Sequence, residues 1–310
     1  MKKIVLMSCA FLLAFAGSSL QNNSYTIAAS ANPKPITMLQ DGGPFFHKIY
    51  SASSPDGLNW TKDNRVLLEH ASVPSAIVTP DGKIRIYYVD ASHIPENTNC
   101  AESTDNGLTF NPTSFSITNR AGSKALDPCI VRLKDDRYRL FYFAFAGTFS
   151  PTESHSIHSA ISDDGIHFTE EGEAFSLAGL VDPDVFQVTK KKWLMYVFSG
   201  SAGGTVIAKS KNGVTFTFVD VMQPKDWGTT TPVKLDDGTF RLYAFNQPDG
   251  QRVASFLSSD GINWTQEPGI RLQADAGQQV TDPYVVRLAN GSWKMFYKVS
   301  YTFHPPPTND

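Results

Sequence analysis

Short apolar segments rich in aromatic residues recur along the chain, and a turn separates each of them from an earlier apolar segment. Three of these turns carry Asp-Gly or Asn-Gly, beginning at Asp81, Asp237 and Asn290, and both pairs favour the positive φ of a tight β-hairpin. Apolar runs of this length between turn signals predict strands. The aromatic segments are Ile84–Tyr88, Tyr138–Tyr142, Trp193–Tyr196, Phe240–Tyr243 and Trp293–Tyr297.

The apolar segment ahead of each aromatic one opens on a residue that is followed by proline. Proline is tolerated at the first residue of a strand because its missing N–H lies outside the hydrogen-bond ladder. Each repeat is therefore predicted to start with an inner strand, followed by a second strand that carries the aromatics. The step from the proline to the aromatic is 13 residues in four repeats and 11 in the fourth. The five pairs are Val73-Pro74, Asp127-Pro128, Asp182-Pro183, Thr231-Pro232 and Asp282-Pro283.

A third element, a short phrase with Asp-Gly or Asn-Gly ahead of an aromatic residue, also occurs five times. Each copy predicts a hairpin between two outer strands. Serine and aspartate recur in most copies, so we expect them to be structural. The copies are Ser54–Trp60, Thr104–Phe110, Ser162–Phe168, Ser210–Phe216 and Ser258–Trp264.

The glycines of these phrases lie 48 to 58 residues apart, and a strand-containing repeat of this length is typical of a ring or a solenoid. The sequence predicts an all-β fold, a five-bladed β-propeller with four-stranded antiparallel blades, in one domain over residues 36–304. The chain starts with an outer-strand phrase at 47–62 and ends with an inner pair at 282–300. We therefore expect the N- and C-terminal strands to share the fifth blade, which closes the ring and removes exposed sheet edges.

Composition restricts the partners. The chain has 310 residues, of which 41% are hydrophobic, and its net charge is −3, which suits one large all-β domain. Without a basic run, neither nucleic acid nor an anionic membrane is expected as a partner. We expect a monomer that binds carbohydrate, for the reasons that follow.

The first residues predict export. Lys2 and Lys3 precede the apolar run 4–16, and Ala14-Phe-Ala16 fits the small-residue rule for signal cleavage, with a second candidate at Ala29-Ser-Ala31. Residues 1–31 are predicted to be a signal peptide and disordered leader, the mature protein being secreted or periplasmic and not membrane-bound. An oxidising compartment permits a disulfide between Cys100 and Cys129. We expect two buried unpaired cysteines instead, because Cys129 falls on an inner strand and Cys100 further out.

Acidic residues mark the predicted mouth of the ring, the face on which the inner strands begin. Of the five residues that precede the inner-strand prolines, Asp127, Asp182 and Asp282 are acids, and Asp184 follows on the same side of its strand. Opposed carboxylates in one pocket suit glycoside hydrolysis, and their mutual repulsion raises the pKa of one of them. The alternative is that each Asp-Pro pair only initiates a turn and bonds the preceding loop.

The Asp-Pro strands, the Ser-x-Asp-Gly-x-x-Trp hairpins and the fivefold count resemble the five-bladed propeller glycosidases, the arabinanase, levansucrase and invertase superfamily with glycoside hydrolase families 43 and 32. In family 43 the resemblance implies a base Asp, a pKa-modulating Asp two blades on and an acid Glu on the next blade. The segment 181–186 resembles the modulator segment, but this places Val73 and Thr231 at the base and acid positions. A rotated register, with Asp282 as base, Asp127 as modulator and Asp182 as acid, fits better.

Loops on the mouth face add candidates for substrate binding. Glu153 and His155 lie in the longest of these loops and His93 in another. Asp41 is a further candidate, although Asp41-Gly-Gly-Pro44 is a poor substitute for the opening motif of family 32, which is absent. Such side chains are more often merely solvated. Trp227 is a candidate for stacking on a sugar face. No zinc-type spacing and no cofactor is predicted, although a structural calcium ion suits converging carboxylates.

Three functions stay open from the sequence. The first is an exported hydrolase that cleaves glycosidic bonds of a polysaccharide or oligosaccharide. The second is a non-catalytic carbohydrate-binding propeller, favoured because no glutamate occupies the expected acid position. The third is sialidase-like, because the segment 103–110 matches the Asp-box pattern, although sialidases resemble six-bladed rings with an arginine triad at the mouth. Most arginines here fall within the strand repeats, at Arg85, Arg139 and Arg241.

Overall fold

The computed structural model describes residues 42–147 and 150–301 of the chain. A short 3-10 helix, Pro44–Phe46, precedes strands β1 (Lys48–Ser54) and β2 (Thr61–Glu69). Blade 1 contains β3 (Ala71–Val78), β4 (Ile84–Asp90), β5 (Asn97–Ser103) and β6 (Asn111–Thr113). Blade 2 contains β7 (Ser116–Thr118), β8 (Lys124–Arg132), β9 (Tyr138–Phe145), β10 (Ser154–Ser162) and β11 (His167–Ala178).

Blade 3 contains β12 (Leu180–Thr189), β13 (Lys192–Ser199), β14 (Gly204–Ser210) and β15 (Thr217–Val221). Blade 4 contains β16 (Trp227–Lys234), β17 (Phe240–Asn246), β18 (Arg252–Ser258), β19 (Thr265–Gln266) and β20 (Leu272–Gln273). The last two strands, β21 (Gln278–Arg287) and β22 (Trp293–Tyr301), pair with β1 and β2 in the order β2-β1-β22-β21. The predicted five-bladed propeller, closed by strands from both ends of the described chain, is confirmed.

Two blades depart slightly from four simple strands. In blade 2 the short strand β7 adds to the outer edge by pairing in parallel with β11, and in blade 4 the fourth strand is split into β19 and β20. The inner strands β3, β8, β12, β16 and β21 contact one another in a ring around the axis. Hydrophobic clusters fill the spaces between successive blades, so that each blade buries its apolar face on its neighbours.

Each Asp-Gly hairpin docks on the second strand of the preceding blade, at the face opposite the mouth. The hydroxyl of Tyr87 donates to the carbonyl of Gly165 over 2.6 Å, and Tyr243 donates to Gly57 over 2.7 Å. Gly165 has a φ of +73°, and a Cβ there would lie 2.7 Å from the guanidinium of Arg85. The repeated phrases therefore hold the ring together, as expected.

The arginines of the second strands serve the same contacts. Arg85, Arg139 and Arg241 donate to the carbonyls of Asp164, Gly213 and Asp56, at 2.7, 3.1 and 3.5 Å. They are therefore directed away from the mouth and do not form the arginine triad that a sialidase-like site requires. The described residues also form five sheets rather than six.

The inner strands bulge at their mouth ends, and this feature corrects the sequence alignment of blade 4. The residue of positive φ in each bulge is Val73, Asp127, Asp182, Thr229 or Asp282. The sequence placed Thr231 in this set, which is wrong, because Pro232 lies inside the strand and pairs with Leu242. Counting 13 residues back from Tyr243 reaches Thr230, so the fourth repeat keeps the same spacing without a proline.

Cys100 and Cys129 are both buried and unpaired. The signal peptide and leader lie outside the described residues, as do Asp41 and the ends of the predicted 36–304 domain. No helix in residues 42–147 and 150–301 is long and apolar enough to cross a bilayer.

Candidate functional site

The bulges bring three carboxylates to the mouth. Asp127, Asp182 and Asp282 have φ values of 52°, 53° and 50°, a left-handed conformation that aspartate tolerates better than most residues. A bulge re-aims the side chain of its unpaired residue, and backbone strain of this kind is concentrated at functional sites. The axial pocket is lined by Val73, Pro74, Pro128, Asp182, Pro183, Asp184, Thr229, Thr230, Thr231, Asp282, Pro283 and Tyr284.

Asp127 and Asp182 are neighbours on blades 2 and 3. The backbone N–H of Asp182 lies 3.4 Å from Oδ2 of Asp127, and the hydroxyl of Thr229 donates to Oδ2 of Asp182 over 3.2 Å. Burial raises the pKa of Asp127 to about 7, with a contribution from the charge of Asp282. Burial and the charges of Asp127 and Asp282 hold the pKa of Asp182 well above its usual range. A raised pKa is what a carboxyl needs in order to act as a proton donor, and both residues meet this requirement.

Asp282 differs because it has a cationic partner. The ammonium of Lys298 on β22 lies 2.6 Å from Oδ2 of Asp282, and the carboxylate is 4% exposed. The hydroxyl of Thr281 donates to the same oxygen over 3.3 Å. The positive charge of Lys298 also opposes the rise in the pKa of Asp127 and Asp182. The mouth therefore holds two proton donors and one ion-paired carboxylate.

Sequence reasoning missed Lys298, although the repeats contain a signal for it. Lys298 lies two residues after Phe296, the aromatic residue of β22 that pairs with the inner strand β21. In the other four second strands the equivalent residue is apolar, at Val89, Phe143, Phe198 and Phe245. Four of the five equivalent positions are apolar. A charged residue at the fifth therefore indicates a role that the repeated architecture does not require.

Asp184 lines the pocket and is 6% exposed. The thiol of Cys129 on blade 2 is 3.7 Å from its Oδ1, and the hydroxyl of Thr231 on blade 4 bonds it from the other side. Burial raises the pKa of Asp184 well above its ordinary value. Its described contacts join three inner strands, and its role toward substrate remains a prediction.

The predicted loop residues His93, Glu153 and His155 are not among those that line the axial pocket. His93 and Glu153 are exposed, and Nδ1 of His93 is 2.9 Å from the hydroxyl of Ser92. His155, at the start of β10, has Nδ1 3.3 Å from the carbonyl of Leu180 and packs its ring against Phe143. The contact of His93 lies within its own loop, whereas that of His155 joins blade 2 to blade 3. Roles toward substrate stay predictions for His93, Glu153 and His155.

Trp227 is not placed for stacking on a sugar. It is the first residue of β16, is 7% exposed and packs edge-to-face on Phe256 in the core between blades 3 and 4. Trp227 precedes the bulge of blade 4 by two residues, so its ring packs in the core rather than lining the axial pocket.

Exposed aromatic surface occurs instead at the 3-10 helix before β1. Phe45 is 50% exposed and stacks on the ring of His70 with centroids 4.0 Å apart, while Phe46 is 38% exposed. The backbone carbonyl of His47 accepts a hydrogen bond from the N–H of Ala71. The ring Nδ1 of His47 lies 2.9 Å from the hydroxyl of Ser72. These contacts fix the helix to the mouth end of β3, next to Val73.

Within the described ranges no group of three or more His, Cys, Asp or Glu side chains is arranged to hold a metal ion. The structural calcium ion considered from the sequence stays a prediction.

The raised pKa of Asp127 has a consequence for stability. The unfolded chain releases this proton near pH 4, whereas the folded chain keeps it until about pH 7, so stability falls as pH rises through this window. We expect Asp127→Asn to be more stable than the parent at pH 8 by about 1–3 kcal/mol, and nearly equal at pH 4. Urea unfolding at pH 4, 6 and 8 measures this, and a variant less stable than the parent at pH 8 would contradict it.

No protein-family model and no curated protein matches the chain. Solved structures do match it. A thermostable family-43 glycoside hydrolase aligns with a TM-score of 0.59 and 10% identity, covering 77% of this chain and 96% of that one. A family 117 glycoside hydrolase of Zobellia galactanivorans aligns with a TM-score of 0.53 and 14% identity, covering 83% and 91%. The α-L-arabinanase of Penicillium chrysogenum aligns with a TM-score of 0.51 and 17% identity, covering 77% of this chain and 75% of that one. The chain has the five-bladed propeller fold of these glycoside hydrolases.

Proposed function

We propose that this protein is an exported glycoside hydrolase that cleaves the glycosidic bonds of a polysaccharide or oligosaccharide at the mouth of the propeller. The observation that carries the proposal is the meeting of two carboxyls of raised pKa, Asp127 and Asp182, with the ion-paired carboxylate of Asp282. Glycoside hydrolysis requires one protonated and one ionised carboxyl in a single pocket.

The proposed roles follow from these states. Asp182 donates its proton to the leaving glycosidic oxygen as the bond to the anomeric carbon breaks. Asp282 accepts a proton from the water that forms the new bond to that carbon. Thr229 fixes the orientation of the Asp182 carboxyl, and the nearby charge of Asp127 raises the pKa of Asp182. The products are two sugars with free hydroxyls, and a second proton transfer through solvent restores Asp182.

A non-catalytic carbohydrate-binding propeller is the second candidate. None of the five bulge residues is a glutamate, and the corrected register places Val73 and Thr229 where the family resemblance puts base and acid. A neutral carboxyl and hydroxyls at the mouth would then bind sugar hydroxyls without cleaving the glycosidic bond.

Hydrolysis of aryl glycosides and of arabino-, xylo- and fructo-oligosaccharides by the mature protein tests the proposal, with calorimetry on the same sugars. Turnover of any member supports the hydrolase. Binding without turnover supports the second candidate. Absence of both would contradict a carbohydrate site at this mouth.

Phe45 is proposed to carry a sugar ring that extends beyond the mouth, because an exposed aromatic face packs on the apolar face of a ring. We expect Phe45→Ala to raise KM at least fivefold for trisaccharides and longer substrates. For aryl monosaccharides KM should stay within twofold, since these do not reach the helix.

Leu108→Ala is the matched control for the Phe45 variant. Leu108 is 51% exposed, but it lies in a hairpin on the opposite face. Equal changes in KM for short and long substrates in Phe45→Ala would contradict the proposed contact.

A further inference from the structure

Lys298 is the one charged residue at a position that is apolar in the other four blades, and its ammonium lies 2.6 Å from Asp282. We propose that Lys298 is a positioning residue that holds Asp282 as the ion-paired carboxylate of the mouth and fixes the orientation of that carboxylate. The consequence for catalysis rests on the proposed function, whereas the distribution of charge does not.

The physical argument concerns three carboxyls confined around one axis. Unless a cation favours one of them, their mutual repulsion leaves undetermined which carboxyl ionises first. The ammonium contacts Asp282 directly, and the side chains of Lys298 and Asp282 are 15% and 4% exposed, so solvent screens the pair little. The charge of Lys298 is therefore compensated at blade 5 rather than at blades 2 and 3.

The contacts also fix the orientation of the carboxylate. Lys298 and Thr281 both donate to Oδ2 of Asp282, which leaves Oδ1 as the oxygen that can serve a water molecule. The titratable groups that line the pocket with Asp282 are Asp182 and Asp184 on β12 and Tyr284 on β21, and the charge of Asp282 also acts on Asp127 on β8. A general base needs both a defined charge and a defined direction.

Lys294 offers a matched control on the same strand. It lies four residues earlier on the same side of β22, is buried, and pairs with Asp63 over 2.9 Å. Its position is repeated as arginine at 85, 139 and 241, where it serves hairpin docking. Removing Lys294 therefore tests the loss of a buried ion pair without touching the mouth.

The first measurement is a carboxyl titration by NMR with ¹³C-labelled aspartate in the parent, Lys298→Met, Lys298→Arg and Lys294→Met. We expect Lys298→Met to bind one more carboxyl proton than the parent at pH 6, while Lys298→Arg and Lys294→Met match the parent. If Lys298→Met fails to fold, Lys298→Gln takes its place. A titration of Lys298→Met or Lys298→Gln like that of the parent overturns the inference, whether or not the protein hydrolyses sugars.

The second measurement uses any substrate that the parent cleaves. We expect Lys298→Met to lower kcat at least 30-fold with KM within threefold, and to move the acidic limb of the pH profile upward. Lys298→Arg should recover activity to within fivefold of the parent, and Lys294→Met should lose stability but keep the parental pH profile. An unchanged profile in Lys298→Met would overturn the role in catalysis. If the parent has no activity, the proposed function fails, and the titration alone decides the inference.

Discussion

Asp182→Asn is expected to lower kcat at least 100-fold on any glycoside that the parent hydrolyses. Asparagine keeps the size of the side chain, tolerates the φ of 53° and can still accept the hydrogen bond from Thr229. It has no acidic proton to give to the leaving oxygen, and general acid catalysis contributes typically 10²–10⁴-fold. Initial rates over a range of substrate concentrations, compared with the parent, measure the loss.

Asp136→Asn is the control for this substitution. Asp136 also has a left-handed conformation, with φ 66°, but lies in the turn between β8 and β9 on the face opposite the mouth. Its replacement should leave kcat within twofold of the parent. If Asp182→Asn retained parental activity, the acid would have to be sought at Asp127.

The contact between Arg241 and Glu267 is the second site of a large expected effect, this time on stability. Arg241→Leu should lower the free energy of unfolding by about 3–5 kcal/mol, because it leaves a buried carboxylate without its cation. Both side chains are 9% exposed, and the guanidinium donates to Glu267 over 2.7 and 3.0 Å. The same arginine reaches the hairpin of blade 5, so the substitution also weakens the closure of the ring.

Urea unfolding of Arg241→Leu, with two comparisons, tests this expectation. The double variant Arg241→Leu with Glu267→Leu should recover part of the loss, since no buried charge is then left unpaired. Arg252→Leu removes an exposed pair with Asp249 and should cost about 1 kcal/mol or less. Equal losses in Arg241→Leu and Arg252→Leu would contradict the structural role of the buried pair.

Local patterns were sufficient for most of the architecture. Turn glycines such as Gly57 and Gly165 recur at regular spacing, and so do the aromatic strands. Each of these signals involves only a few neighbouring residues, through the positive φ of a turn or the alternation of side chains along a strand. Their count predicted five blades, and their order along the chain predicted the shared fifth blade. Residues that share a position in such a repeat must share a place in the ring, so Asp127, Asp182 and Asp282 could be expected to meet.

Errors arose where one repeat departs from the others. Blade 4 carries Thr230 in place of the proline, so the nearby Thr231-Pro232 was mistaken for the start of the inner strand. Side chains that act through contacts between elements were missed, because Lys298 meets Asp282 across two strands and the 3-10 helix with Phe45 is held by blade 1. No local pattern encodes those distances.

The sequence by itself determined the number of blades, the closure of the ring and the set of acidic residues at the mouth, because each follows from short-range signals repeated five times. Only the tertiary structure decided which carboxyls have a raised pKa and which one is ion-paired. Burial and the distances between Asp127, Asp182, Asp282 and Lys298 set that outcome, and these depend on how five separate strands meet at the axis.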